Sequence, residues 1–113
     1  FDARREINQV TAAEAIDRYF VDLVSATRNP GRYDKDLARW IHVGASPRGT
    51  LALDRASRAL AWLRGRDHVI PEDVQSIAPD CLRHRILPSY EASAGGKSND
   101  DLLSALLKMV AVP

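Results

Sequence analysis

Gly44-Ala45-Ser46-Pro47-Arg48-Gly49-Thr50 joins an apolar approach, through Trp40 and Ile41, to a long amphipathic run. Ser46 is expected as the N-cap of that run, its hydroxyl accepting from the free N–H groups of the first turn. Pro47 then takes the first helical position, where its missing N–H costs nothing. Arg48 falls in the first turn, beside backbone donors that no carbonyl of the helix satisfies. Such a helix start attracts anions, and an arginine adds a planar fork for phosphate. Ser46, Pro47 and Arg48 are therefore the candidate anion-binding residues. The bland alternative is a plain cap with a solvated arginine.

Outward from this stretch every long element reads as helix. Downstream, a helix is expected from Pro47 to about Arg64, with Leu53, Ala56, Leu60 and Leu63 on one face. Arg48 shares a side with Ala52, Arg55 and Ala59. Arg58 and Trp62 are four apart, at cation–π spacing, although a solvated arginine beside a half-buried Trp is the better reading. Gly65 is placed to close the helix in a left-handed conformation. Pro71 opens the next helix, with Glu72 and Asp73 complementing its N-terminus. Ile70, at its N-cap, has no side-chain acceptor. Val74 and Ile77 point inward, with Ala78 beside them. Pro79 is expected to open a separate short helical stretch through Arg85. Ile86-Leu87-Pro88 then leads out in extended form. Ser93-Ala94-Gly95-Gly96-Lys97 is a flexible loop by composition. Ser98 or Asn99 caps a last helix with Leu102, Leu103, Leu106, Leu107 and Val110 as its apolar stripe.

Upstream, residues 34–41 form a short helix with Leu37, Trp40 and Ile41 inward. Before it, Ile16, Tyr19, Phe20, Leu23, Val24 and Thr27 make one continuous helical stripe ending near Arg28. Thr11 and Glu14 have the spacing of a capping box at its start, and Glu14 and Arg18 pair at i, i+4. Asn29-Pro30-Gly31 stops it. Residues 1–10 read as a leading linker, and 11–113 as one domain. No alternating run is long enough for a strand. The class is all-α, a small bundle of about four to six helices.

Composition narrows the function. Apolar residues make up 45%, charged residues 27% and the formal net charge is +1, so the overall balance calls for neither nucleic acid nor an anionic membrane. The cations are 13 Arg and 3 Lys, so individual guanidinium forks matter more than their sum. Cys81 is the single cysteine, which excludes an internal disulfide and fits a reducing compartment, with the cytoplasm as the expected location. No apolar run approaches the roughly 18 residues that cross a membrane. The chain starts at Phe1 with no initiator Met and is expected to be part of a longer protein. His42, His68, His84 and Cys81 lack metal-ligand spacing, so no metal site is expected. Gly95-Gly96-Lys97-Ser98 looks like the tail of a phosphate-binding loop, but the pattern's first glycine falls at Glu91 and no strand precedes it. Arg64, Arg66, Arg83, His84 and Arg85 form a basic cluster with no aromatic platform between them, so a solvated or interface face is preferred to a nucleic-acid site.

Four pieces in order change the reading: Ala26-Thr27-Arg28, Gly44-Ala45-Ser46-Pro47-Arg48, the run from Gly65 to Val74, and Leu82-Arg83-His84-Arg85. Together they resemble the C-terminal helical lid of the MoxR family of AAA+ ATPases, over roughly residues 16–110. The sequence departs from the family pattern at Ile70, where Thr is usual, and at Gly49, where Ala is usual. The resemblance implies that Arg48 is the sensor 2 arginine, catalytic through contact with the γ-phosphate of ATP. It implies a separate α/β core domain holding Mg-ATP, a homo-oligomeric ring, in the family a hexamer, and chaperone-like maturation of partner complexes alongside a protein with a von Willebrand factor A domain. By itself the chain would not hydrolyse ATP. The competing expectation is a free-standing helical interaction or nucleic-acid module with no ATPase role.

Overall fold

A computed structural model of the chain describes residues 2–113, with side chains throughout except at positions 2–4 and 8. The element order is α1 (Asp2–Gln9), α2 (Glu14–Arg28), a 3-10 turn (Pro30–Arg32), α3 (Lys35–Trp40), β1 (Ile41–Val43), α4 (Arg48–Leu63), α5 (Pro71–Leu82), β2 (Leu87–Pro88), α6 (Tyr90–Ala94) and α7 (Asn99–Met109). The all-α class holds. Two of the helices fall where none was expected: α1 occupies the leading segment, and α6 runs into the glycine loop. β1 and β2 form a short antiparallel ladder that the sequence pattern did not show. None of the helices among the described residues is long and apolar enough to cross a membrane.

The α2 stripe is buried as its periodicity predicts: Ile16, Tyr19, Phe20, Leu23, Val24 and Thr27 all face the core. Its start differs. The N-cap is Ala13, with no side-chain cap, and Ile16 N–H bonds back to the Ala13 carbonyl. Thr11 instead bridges to the α4–α5 connection. Its N–H donates to Asp67 O at 2.9 Å, and its carbonyl accepts from Val69 N–H at 2.9 Å. A long-range backbone pairing has displaced the local capping box.

α4 is rotated from the expected face. Its buried side is Gly49, Leu53, Ser57 and Ala61, whereas Leu63 is 72% exposed. The reason is close approach: α4 lies between α2 and α5, and small side chains let three helices meet. At Gly49 an added methyl would touch Leu82 and Val24, both at 3.3 Å. α4 ends as predicted at Gly65, whose φ is 76°. Gly65 N–H bonds to Trp62 O and Arg66 N–H to Ala61 O, the paired bonds of a Schellman ending.

α5 does not break at Pro79. It runs unbroken from Pro71 to Leu82. An interior proline costs one backbone bond and a ring clash, on the order of 3 kcal/mol. Full burial of Ala78 and Leu82 on either side of it offsets that. Gly95 and Gly96, expected in a flexible loop, close α6: Lys97 N–H bonds back to Ala92 O at 2.9 Å. Lys97 Nζ then sits 4.9 Å from the Trp40 ring centroid. α7 is capped by Ser98, which accepts from Asp101 N–H while the Asp101 carboxylate accepts from Ser98 N–H.

Candidate functional site

The site is built where the C-terminus of α2 meets the start of α4. Thr27 is buried in the last turn of α2. Its hydroxyl donates to Val24 O at 2.6 Å and accepts from Ala45 N–H at 2.9 Å. The 44–48 loop is thereby bolted to the end of α2. Gly44 lies flat against the same turn. A Cβ there would sit 2.2 Å from Thr27 O and 2.6 Å from Arg28 Cα. Two sequence pieces 16 positions apart, ending at Arg28 and starting at Gly44, are thus one structural unit.

The chain then winds into α4 through tight bonds, Gly49 N–H to Ser46 O at 2.9 Å and Thr50 N–H to Pro47 O at 3.1 Å. This corrects the expected cap. Pro47, already at helical angles (φ −56°, ψ −21°), is the cap residue, and no side chain caps the helix. The carbonyls of Ser46 and Pro47 engage two of the first-turn donors, so the Ser46 hydroxyl has no capping role. It also shifts the anion argument from free backbone N–H groups to the Arg48 side chain. Arg48 opens α4, is exposed, and forms no hydrogen bond or ion pair among the described residues. Ser46 and Pro47 are exposed beside it.

The other two sequence pieces build structure. Asp73 is fully buried, and its carboxylate accepts from Arg64 at 3.0 Å, from Arg66 and from Ile70 N–H at 3.0 Å. Burial pushes this carboxyl up, but the Arg66, Ile70 and Arg64 bonds outweigh it and hold the pKa below the usual value. Ile70 N–H is thus satisfied although Ile70 offers no acceptor of its own. Reasoning from sequence assigned Asp73 only to the helix dipole. The signal it passed over was an acid three residues past the cap with two arginines just upstream. Arg83 is held by Asp100 at 2.7 Å and Asp80 at 3.0 Å, which favours its charged form. Arg85 Nε donates to Cys81 O. Asn99 Nδ2 donates to Arg83 O and Ile86 O, closing the end of α5. Of the five-residue basic cluster, three arginines are therefore engaged by carboxylates and only His84 lacks a partner among the described residues.

Arg58 and Trp62 do not stack. Arg58 pairs with Asp54 at 2.7 Å and donates to Val10 O, while Trp62 Nε1 donates to Glu6 at 2.8 Å. Both tie α1 and its exit to α4. Cys81 is half-buried against Ala52 O, and burial pushes its thiol up, away from reactivity. No group of three His, Cys, Asp or Glu side chains that could hold a metal occurs among the described residues.

Residues 36–106 match the family model of the AAA lid domain. The chain belongs to this lid family. Its relatives include the chaperone MoxR1 of Mycobacterium tuberculosis, 43% identical over 100 residues that cover 88% of this chain and 26% of that protein. Protein MoxR of Paracoccus denitrificans is 45% identical over 87 residues, covering 71% of this chain and 26% of its own length. A crystal structure of a candidate ATPase from Cytophaga hutchinsonii superimposes with a TM-score of 0.92 at 40% identity, over 97% of this chain and 34% of that one. The lid of MoxR-type AAA+ ATPases is therefore the right description of this chain. The lid spans only a quarter to a third of the length of these proteins.

Proposed function

We propose that this lid presents Arg48 to the γ-phosphate of ATP held on a separate core domain, and that lid movement couples hydrolysis to work on partner complexes. The observation that carries the reading is the Thr27–Ala45–Gly44 junction. It fixes the loop by a buried hydrogen bond and a contact too close for any side chain, and so delivers an exposed arginine with no carboxylate partner among the described residues. Phosphoryl transfer depends on placed positive charge that meets the developing negative charge. The residues present fit one part of that need. Among the described residues they supply a guanidinium fork and no carboxylate cluster for Mg²⁺, and in this reading the core holds most of the Mg-ATP site. A homo-oligomeric ring, a hexamer in the family, and a von Willebrand factor A domain partner belong to the same reading, as do chaperone-like maturation and a cytoplasmic setting. The test is steady-state hydrolysis by the full-length protein. Arg48→Ala should lower turnover about 100- to 1000-fold, the usual loss for one preorganised charge contact. Arg48→Lys should recover part of the rate, because the charge stays and the fork is lost. Unchanged turnover in assembled rings would make Arg48 a surface arginine only.

A further inference from the structure

Arg48 is not alone at the junction. Arg28 closes α2, and its Cα lies against Gly44 closely enough that a Gly44 methyl would stand 2.6 Å from it. The position of Arg28 is therefore fixed relative to the loop that carries Arg48. Both side chains are exposed, and neither forms an ion pair or hydrogen bond among the described residues. Half of the arginines with described side chains are paired instead. Arg18, Arg39, Arg58, Arg64, Arg66 and Arg83 each have a carboxylate within 4 Å. Among the described residues Arg5, Arg32, Arg55 and Arg85 also lack one, but none of them is bolted to the 44–48 loop. Two arginines carried on one joined unit of backbone, neither with a carboxylate among the described residues, leave positive charge that an anion can neutralise.

We infer that Arg28 is a second phosphate-binding residue, gripping the α-phosphate of the nucleotide whose γ-phosphate meets Arg48. This rests on the nucleotide-facing role proposed for Arg48. The two arginines divide the work by where they sit. Arg48 stands at the start of α4, where its side chain supplies the positive charge that meets the γ-phosphate. Arg28 stands at a helix end, whose carbonyls disfavour anions near the backbone, so only its extended guanidinium can make contact. A contact to the α-phosphate, whose charge stays the same as the γ-phosphoryl leaves, binds ground state and transition state alike. It lowers KM and the Kd for ADP, and leaves kcat nearly untouched.

The experiment uses the full-length protein with ADP and ATP as probes, comparing Arg28→Ala, Arg28→Lys and Arg48→Ala. Arg28→Ala should raise the ADP Kd and the ATP KM about tenfold, equivalent to about 1.4 kcal/mol, with kcat within about threefold and ring assembly intact. Arg28→Lys should recover part of the affinity. Unchanged ADP affinity and KM would overturn the proposal. So would lost ring assembly or a lowered melting temperature with nucleotide affinity intact, since Arg28 would then meet a carboxylate of the protein. If Arg28→Ala weakens ADP binding while Arg48→Ala leaves turnover unchanged, the sensor reading fails and the second phosphate contact stands. If only Arg48→Ala has an effect, the reverse holds.

Discussion

Gly44→Ala tests the junction directly. The added methyl would lie 2.2 Å from Thr27 O, 2.4 Å from the Thr27 carbonyl carbon and 2.6 Å from Arg28 Cα. Ordinary contacts to carbon are about 3.5–4.0 Å, so the loop must lift by roughly 1 Å. All three obstacles are backbone atoms of a helix end, so no side chain can swing aside. Overpacking of this kind costs about 1–3 kcal/mol. Lifting the loop also breaks the 2.9 Å bond from Ala45 N–H to the Thr27 hydroxyl, a further cost of about 1 kcal/mol. The stiffer unfolded chain of alanine returns about 0.4–1 kcal/mol. The net loss is about 1–3.5 kcal/mol, a fall in melting temperature of roughly 4–15 °C for a domain of this size. Thermal denaturation of the chain, followed by circular dichroism, reads this number. In the full-length protein the same change should displace Arg48 and lower hydrolysis. A melt within about 2 °C of the unmodified chain would refute the close contact and, with it, the argument that the junction fixes Arg48.

Two further outcomes follow from the same structure. Asp73→Asn should destabilise the chain by about 3 kcal/mol in urea unfolding, the low end for breaking a buried pair, because Arg64 and Arg66 keep part of their solvent. The folded Asp73 pKa is depressed, so its ion pairs stabilise the fold above the unfolded value of about 3.9 and are lost as pH falls through the lower folded value; the unmodified chain should weaken below about pH 4 with a steeper slope than Asp73→Asn. Gly49→Ala should raise stability by less than the roughly 1 kcal/mol of helix propensity it gains, because its methyl stands 3.3 Å from the buried Leu82 and Val24 and 3.5 Å from Ala45, which must give by a few tenths of an ångström; a lowered urea midpoint would show that they cannot yield.

The sequence by itself determined the helical class and most helix ends. The α2 stripe, the Gly65 ending, the Pro71 start and the Ser98 cap are local events, set by spacing and by residues within a few positions. It also placed Arg48 at a helix start, one residue off at the cap, and carried the pieces that mark the lid family. Tertiary structure decided what depends on neighbours. Thr11 pairs with the Asp67–Val69 strand-like segment instead of capping α2, because its N–H and carbonyl are both taken by backbone bonds across the fold. The buried face of α4 follows its small residues, since closeness to α2 and α5 outweighs the pull of Leu63 toward a core. Pro79 stays inside α5 because the burial around it exceeds its cost. Asp73 becomes an anchor for two arginines only when α4 has turned back at Gly65. The union of Arg28 with the Arg48 loop is of the same kind: it needs the absence of a side chain at Gly44 and a hydroxyl on Thr27, 17 positions earlier in the chain, and only the folded chain brings them together.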